Sequence, residues 1–346
     1  MTQRDDCWQL LFSLESRDVA AKWHQQITGR KLSARRAKEI NSSAKQAREF
    51  FRNAEHSNDS VKPLLTFYGV ASLSRAVVLL LKRTQGEESL VAGHGIETLG
   101  WRTVLGVDLT AGLSALGHLK IKTCSGLFTD FLYGTSNHIC MHVQSGAVDW
   151  GLSYKIPPTG DEFSLGELMS RVPDLQAQHH RASHESHYAS INEMTYSESG
   201  GFHAKVSAKY LDSFKDSYAD LGFSLTRSGD WFDLKCDSGT FKSHPPQYMH
   251  TYVHKMFGSI PSLHLVKPLS SESRYSQMAI TYMLSYILGM LSRYFPTHWI
   301  ALLSGEKGDE VWPAIHATQR YVYQSFPELV IEFIHDKLDT PSTASE

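Results

Sequence analysis

The chain has 346 residues, 41% of them hydrophobic and 20% charged, with 34 Lys and Arg against 36 Asp and Glu for a formal net charge of −2. That length supports one large domain or two ordinary ones, and the composition excludes a disordered chain. The near-even balance carries no overall field toward nucleic acid or a membrane, and the four scattered cysteines, Cys7, Cys124, Cys140 and Cys236, exclude a zinc ribbon or a disulfide scaffold.

The opening Met-Thr-Gln-Arg-Asp-Asp is too polar for a secretory signal, so a cytoplasmic location is expected. A short amphipathic helix is expected over Asp5 to Ser16, with Trp8, Leu11, Phe12 and Leu14 as its apolar residues. Ser33 has the chemistry of an N-cap and predicts a long helix to about His56, with Ile40, Ala44, Ala47, Phe50, Phe51 and Ala54 on one side. Arg30, Lys31, Arg35, Arg36, Lys38, Lys45 and Arg48 crowd this region. They read as a solvated face or as a local basic patch able to meet phosphate or RNA, with Arg35 and Arg36 as candidate ligand-binding residues. Lys62-Pro63 then opens a second helix to about Arg83, apolar almost all round, with Gly86 beyond its end.

From about residue 104 to 265 the chain is richer in Gly, Ser, Thr and aromatics. Alternating runs at His138 to Gln144, Phe202 to Tyr210, Phe223 to Arg227 and Trp231 to Cys236 predict strands. One short helix is expected among them, over Ser164 to Met169, capped by Ser164 with Glu167 in the capping-box position. Helix returns at Ser273. The uncharged stretch Tyr275 to Leu291 reads as a core helix rather than a membrane span, because Ser276, Gln277, Thr281, Ser285 and Gly289 interrupt it and Arg293 and Pro296 follow. Pro296 starts a further turn or two to Leu303, and two last helices are expected on either side of Pro327, before a polar tail. The expected fold is α+β: a helical bundle formed by residues 1–100 and 269–346, with a β-rich region, 101–268, inserted between them.

Arg293 and His298 are the leading candidates for chemistry. They lie four intervening residues apart at a Pro-broken helix end. A permanent cation beside a proton carrier has the makings of metal-independent RNA cleavage. The plainer reading has Arg293 pairing with backbone carbonyls or a carboxylate at the helix C-terminus, and Tyr294 and Trp299 filling the bundle end. His94, flanked by glycines in Ala92-Gly-His-Gly, is a candidate ligand residue or a local turn. His179, His180, His184 and His187 form the densest histidine group, and read as an exposed cluster before a metal site. Tyr248, Tyr252 and Phe257, with His250, His254 and Lys255, would share a helix and either stack bases or pack. No phosphate-binding loop, dinucleotide fingerprint or nucleophile elbow occurs, and Asp149, Asp161, Glu162 and Glu193 form no two-metal pattern, so neither metal nor cofactor is expected.

Several segments resemble the YaaC-like proteins. They are Ala44 to Phe51, Lys62 to Leu65 with Tyr68-Gly69, His94-Gly95, Gly126-Leu-Phe, Leu165 to Leu175, and Leu284 to Trp299 with Arg293, Tyr294, Pro296 and Trp299 in register. The resemblance reaches from about residue 33 to 338 and implies the architecture; it implies no activity, and its pattern leaves position 298 variable. The Arg293 to His298 spacing is also similar to that of HEPN-type ribonucleases, which are helical bundles. Two functions are therefore expected. One is a non-catalytic interaction or regulatory component of a bacterial multi-protein system such as phage defence, with a protein partner or a second copy. The other is a HEPN-like endoribonuclease using Arg293 and His298.

Overall fold

The computed structural model describes residues 3–106, 108–139, 153–175, 187–250, 263–305, 308 and 310–339. The fold is α+β, with helices from both chain ends packed together and a β region inserted between them. The N-terminal helices are α1 (Gln3–Leu11), α2 (Arg17–Thr28), α3 (Ala34–His56) and α4 (Lys62–Leu81). As expected, Ser33 caps α3, its hydroxyl accepting from the Arg36 amide, and Pro63 sits in the first turn of α4. Helix α2 was not foreseen. Ser16 caps it and Gly29, at φ +72°, ends it, but only Ala20 and His24 of its residues are buried, so its apolar signal is thin.

The chain then runs through β1 (His94–Leu99), α5 (Trp101–Leu105), α6 (Leu109–Ser114), β2 (Lys120–Gly126), α7 (Leu127–Gly134), β3 (Glu162–Ser164) and α8 (Leu165–Met169). The three strands form an antiparallel sheet in the order β1-β2-β3. This stretch corrects the expectation of strands with a single helical interruption: four helices and a small sheet alternate here, and β1 begins before residue 100. Its buried residues, Trp101, Phe128, Phe131 and Leu165 among them, share one core with α3 and α4. Ser164 does cap α8, but Glu167 does not complete the capping box, because its carboxylate accepts the Ser270 amide instead (2.6 Å).

The larger sheet comprises β4 (Tyr188–Ser197), β5 (Gly201–Ser207), β6 (Ser224–Ser228), β7 (Trp231–Cys236), β8 (Tyr248–His250) and β9 (Leu263–Val266). Its order is β6-β7-β5-β4-β9-β8, antiparallel throughout. Short helices α9 (Ala208–Leu211), α10 (Asp216–Ala219) and α11 (Ser238–Ser243) decorate it. Alternation puts Phe202, Ala204 and Val206 of β5 into a second core with Phe223, Leu234 and Phe241, and the Phe202 and Phe241 rings stack at 4.6 Å. Tyr248 and His250 belong to strand β8, not to the expected helix, because each pairs into the sheet edge. Tyr252, His254, Lys255 and Phe257 of that group lie outside the described residues, as do Asp149 and most of the strand expected over His138 to Gln144.

The C-terminal helices are α12 (Gln277–Tyr294), α13 (Pro296–Leu303) and α14 (Trp312–Asp339). Every residue of α12 from Gln277 to Ser292 is buried, so it is the central post of the bundle. Helix α14 corrects the expected break at Pro327. It continues through the proline because Phe326, Leu329, Val330 and Phe333 are all buried in the main core, and that packing outweighs one missing hydrogen bond. Helix α4 is the one described helix long and apolar enough to cross a membrane by composition, and 72% of that window is buried inside the protein.

Polar side chains fasten the larger sheet to the bundle. Gln277 of α12 accepts from the His250 amide (3.0 Å) and donates to the His250 carbonyl (3.0 Å) and to the Tyr321 hydroxyl (3.1 Å). Within the bundle, Asn137 just after α7 ties down the segment leading into α12, donating to the Arg274 carbonyl (2.8 Å) and accepting from the Ser276 amide (2.8 Å). Arg171, 5% exposed, donates to the carbonyls of Lys267 (3.1 Å) and Pro268 (2.9 Å) just beyond β9.

Candidate functional site

Arg293 occupies the last turn of α12, where the buried post meets solvent. Its guanidinium donates to the Tyr68 hydroxyl of α4 (2.7 Å) and lies 5.0 Å from the centroid of the exposed Tyr294 ring. His298 lies on the next helix and turns elsewhere. Its ring meets Phe295 edge-on at 6.1 Å, and its Nε2 is close enough to Gly112 of α6 that a methyl group there would sit 3.0 Å away. That Nε2 is buried and has no hydrogen-bond partner among the described residues. No hydrogen bond links Arg293 to His298: one side chain faces α4 and the other α6.

The residue that the fold brings toward Arg293 is His94. It starts β1, paired with Gly126 at the end of β2 across a bulge. Gly95 has φ +77° and a Cβ there would lie 2.7 Å from the Phe128 amide, while Gly126 has φ +150° and leaves no room beside Gly95. The two glycines let the loop before β1 press onto the start of α7, where the Leu127 amide donates to the Gly93 carbonyl (3.0 Å). The His94 ring is thereby set edge-on to Phe67 (5.0 Å between centroids) and 6.1 Å from Tyr286, and its carbonyl accepts from the Tyr282 hydroxyl (3.2 Å).

Burial, first, and then the charges of Arg293 and Arg75 lower the proton affinity of His94 below the ordinary histidine value. Arg75 is half-buried on α4 and makes no hydrogen bond or ion pair with a described residue. Burial pushes the Tyr286 hydroxyl up to about 12, with Cys124, Tyr294 and Glu97 adding to the shift. The junction therefore brings together two guanidiniums without a carboxylate partner among the described residues, an imidazole whose protonation is disfavoured, and the rings of the half-buried Tyr68 and exposed Tyr294 above the buried Tyr286. Such a surface can accept an acidic group and stack against it. Sequence reading missed Arg75, Tyr68 as the Arg293 partner, and Tyr286. Their signal was polar residues seven apart in otherwise apolar helices: Tyr68 and Arg75 on α4, Tyr286 and Arg293 on α12.

The other candidates lie apart from this junction. Arg35 is exposed and bridges Glu39 (2.9 Å) and Glu88 (3.0 Å), and hydrogen bonding to Glu39 is the main reason its proton affinity is raised. Arg36 is buried, and donates to the Leu79 and Arg83 carbonyls (3.2 Å each) and to the Lys82 carbonyl, which caps the C-terminus of α4. Farther along α3, Arg48 is paired with Glu15 (2.7 Å) and Glu49 (3.1 Å). Of the histidine group, His179, His180 and His184 lie outside the described residues, and His187 Nδ1 lies 3.3 Å from Arg171. Among the described residues no three His, Cys, Asp or Glu side chains gather in a way that would hold a metal ion.

The model of the family described as YaaC-like protein matches residues 11–334. No curated protein and no solved structure matches the chain.

Proposed function

The chain belongs to the YaaC-like family, and we propose that it is a non-catalytic interaction component of a bacterial multi-protein system, cytoplasmic, with the Arg75–His94–Arg293 junction as its recognition surface. The observation that carries this reading is the direction of Arg293. It is turned from His298 toward Tyr68, Tyr294 and His94, and forms an exposed Arg–Tyr surface of the kind that anchors protein interfaces. Because Arg75 and Arg293 lack carboxylate partners among the described residues, the partner surface is acidic. Phage defence as the setting rests on analogy with helical bundles that serve there. Capture from the native host with wild type, Arg75→Ala and Tyr294→Ala chains tests the interface. A partner held by wild type and lost by both variants supports it, and one held equally by all three removes it.

The second reading is a HEPN-like endoribonuclease. The observation in its favour is His298 Nε2, a ring nitrogen to which no described group is bonded. Incubation with single-stranded and structured RNA in EDTA decides the matter. Cleavage by wild type that is absent from both Arg293→Ala and His298→Ala establishes the enzyme, whereas no cleavage by the wild type excludes it.

A further inference from the structure

We propose that the cleft between the start of α3 and the end of α4 binds the phosphate groups of a soluble small molecule. The cleft measures about 370 Å³ and is lined by Arg30, Lys31, Ser33, Arg36, Arg83 and Thr84. Four of these six are cations and two carry hydroxyls, and no carboxylate lines it. That donor set matches an oxyanion, since Arg and Lys supply charge and Ser and Thr supply neutral hydrogen bonds.

The local electrostatics are unbalanced without such an anion. The N-terminus of α3 opens into the cleft, at the positive end of a 23-residue helix dipole. Acidic residues are the usual occupants of such a first turn, yet α3 has none there and carries Arg35 and Arg36 instead. Arg36 is 8% exposed and lines the cleft; its terminal nitrogens are spent on the α4 carbonyls, and its Nε is buried with no partner among the described residues. Arg36 therefore acts on an anion in the cleft through its charge, since a fully buried Nε cannot itself meet a ligand there. The side chains of Arg30, Lys31 and Arg83 have no hydrogen bond or ion pair with any described residue.

The surroundings fix the kind of ligand. Of the neighbouring arginines, Arg35 is paired with Glu39 and Glu88, and Arg48 and Arg52 with Glu15 and Glu49. The cleft is where four cations gather with no lining carboxylate, a compact site suited to a small anion more than to a polynucleotide backbone. The volume lies at the small end of the range for ligand pockets, roughly 300–1,000 Å³. Among the described residues the exposed large apolar side chains are Leu10, Phe12, Val61, Val91, Tyr133, Tyr294 and Ile300, and none of them lines the cleft, so nothing there inserts into a lipid surface. A free di- or triphosphate fits this combination.

The test is calorimetric titration of the full chain with pyrophosphate. Wild type is expected to bind with one-to-one stoichiometry, more weakly as NaCl is raised. Lys31→Ala and Arg83→Ala, both at exposed positions, should each weaken binding about tenfold, the effect of one lost charge-assisted hydrogen bond. Arg35→Ala, outside the cleft, and Arg293→Ala, at the junction described above, should leave it unchanged, so this result is independent of the recognition surface proposed there. Absence of pyrophosphate binding overturns the proposal, as does equal binding by wild type and the Lys31→Ala/Arg83→Ala double variant. Co-sedimentation with phosphatidic acid vesicles that pyrophosphate does not reverse would move the phosphate to a lipid and overturn the soluble ligand. Single-stranded RNA binding that depends on Lys31 and Arg83 and is not displaced by pyrophosphate would overturn it in favour of a polynucleotide.

Discussion

At His94, burial and two guanidiniums act in the same direction, and both oppose protonation. His24 behaves alike: it is buried, its Nδ1 donates to the Leu80 carbonyl at 2.7 Å, and burial lowers its proton affinity. A histidine whose folded value lies below its unfolded value of about 6.5 gives its full contribution above that pH. The contribution is lost as pH falls from there toward the folded value. Urea midpoints should therefore drop between about pH 7 and 5. In His94→Gln that slope should be shallower; an unchanged slope would remove His94 from the account. Gly95 and Gly126 are constrained more tightly. An alanine at 95 would hold φ +77° and set its methyl 2.7 Å from the Phe128 amide. Gly95→Ala should cost about 2 kcal/mol or more in urea denaturation, from left-handed strain together with overpacking.

Close approach of two buried helices decides the bundle at the element scale. Helices α4 and α12 cross where Gly289 meets Phe67, and a Cβ on Gly289 would lie 2.7 Å from the Phe67 Cβ. Alanine is the better helix former by roughly 1 kcal/mol, so propensity alone favours Gly289→Ala. Overpacking against a side-chain root that cannot rotate away costs about 1–3 kcal/mol and should prevail. A lowered thermal midpoint in Gly289→Ala is the expected result, and a raised one would show that the crossing is loose. Caps and proline starts were legible at this scale: Ser33, Ser164 and Pro63 are local signals, and each begins the helix expected of it. Pro327 misled because its cost is local, whereas the burial of Phe326 and Val330 that offsets it is tertiary. The helices α5, α6 and α7 were missed because each spans five to eight residues, too short for a 3.6-residue period to show.

For the whole molecule, the joint between the two cores is the feature with consequences. Most buried residues of the larger sheet form a core separate from that of the bundle, but Tyr188, Met249 and Val266 of that sheet pack into the bundle core, so the joint combines a few apolar side chains with several buried polar ones. Arg171 serves both sides, held by Glu167 of α8 and donating to the carbonyls after β9. Arg171→Ala leaves the Lys267 and Pro268 carbonyls without this donor and should destabilise by about 2–3 kcal/mol. Hydrogen exchange should rise first at residues 263–268, and uniform exchange across both cores would show that the joint is not a separate cooperative boundary. Of the functional candidates, Arg293 and His94 were readable as unusual residues, one a charge ending an apolar helix and one a histidine between glycines. That they lie together, and that His298 lies elsewhere, was not readable, because 199 positions of chain separate His94 from Arg293.

Sequence alone determined the α+β class, the helical character of both ends, the caps, and the buried nature of α12, since each follows from composition or from patterns a few residues long. Only the tertiary structure decided the partners of the charged side chains. It matched Arg35 and Arg48 with carboxylates, spent Arg36 on the end of α4, and left Arg75 and the cleft cations without such partners among the described residues. Pairing depends on which distant helix ends and strand turns meet, and nothing local in the chain encodes that.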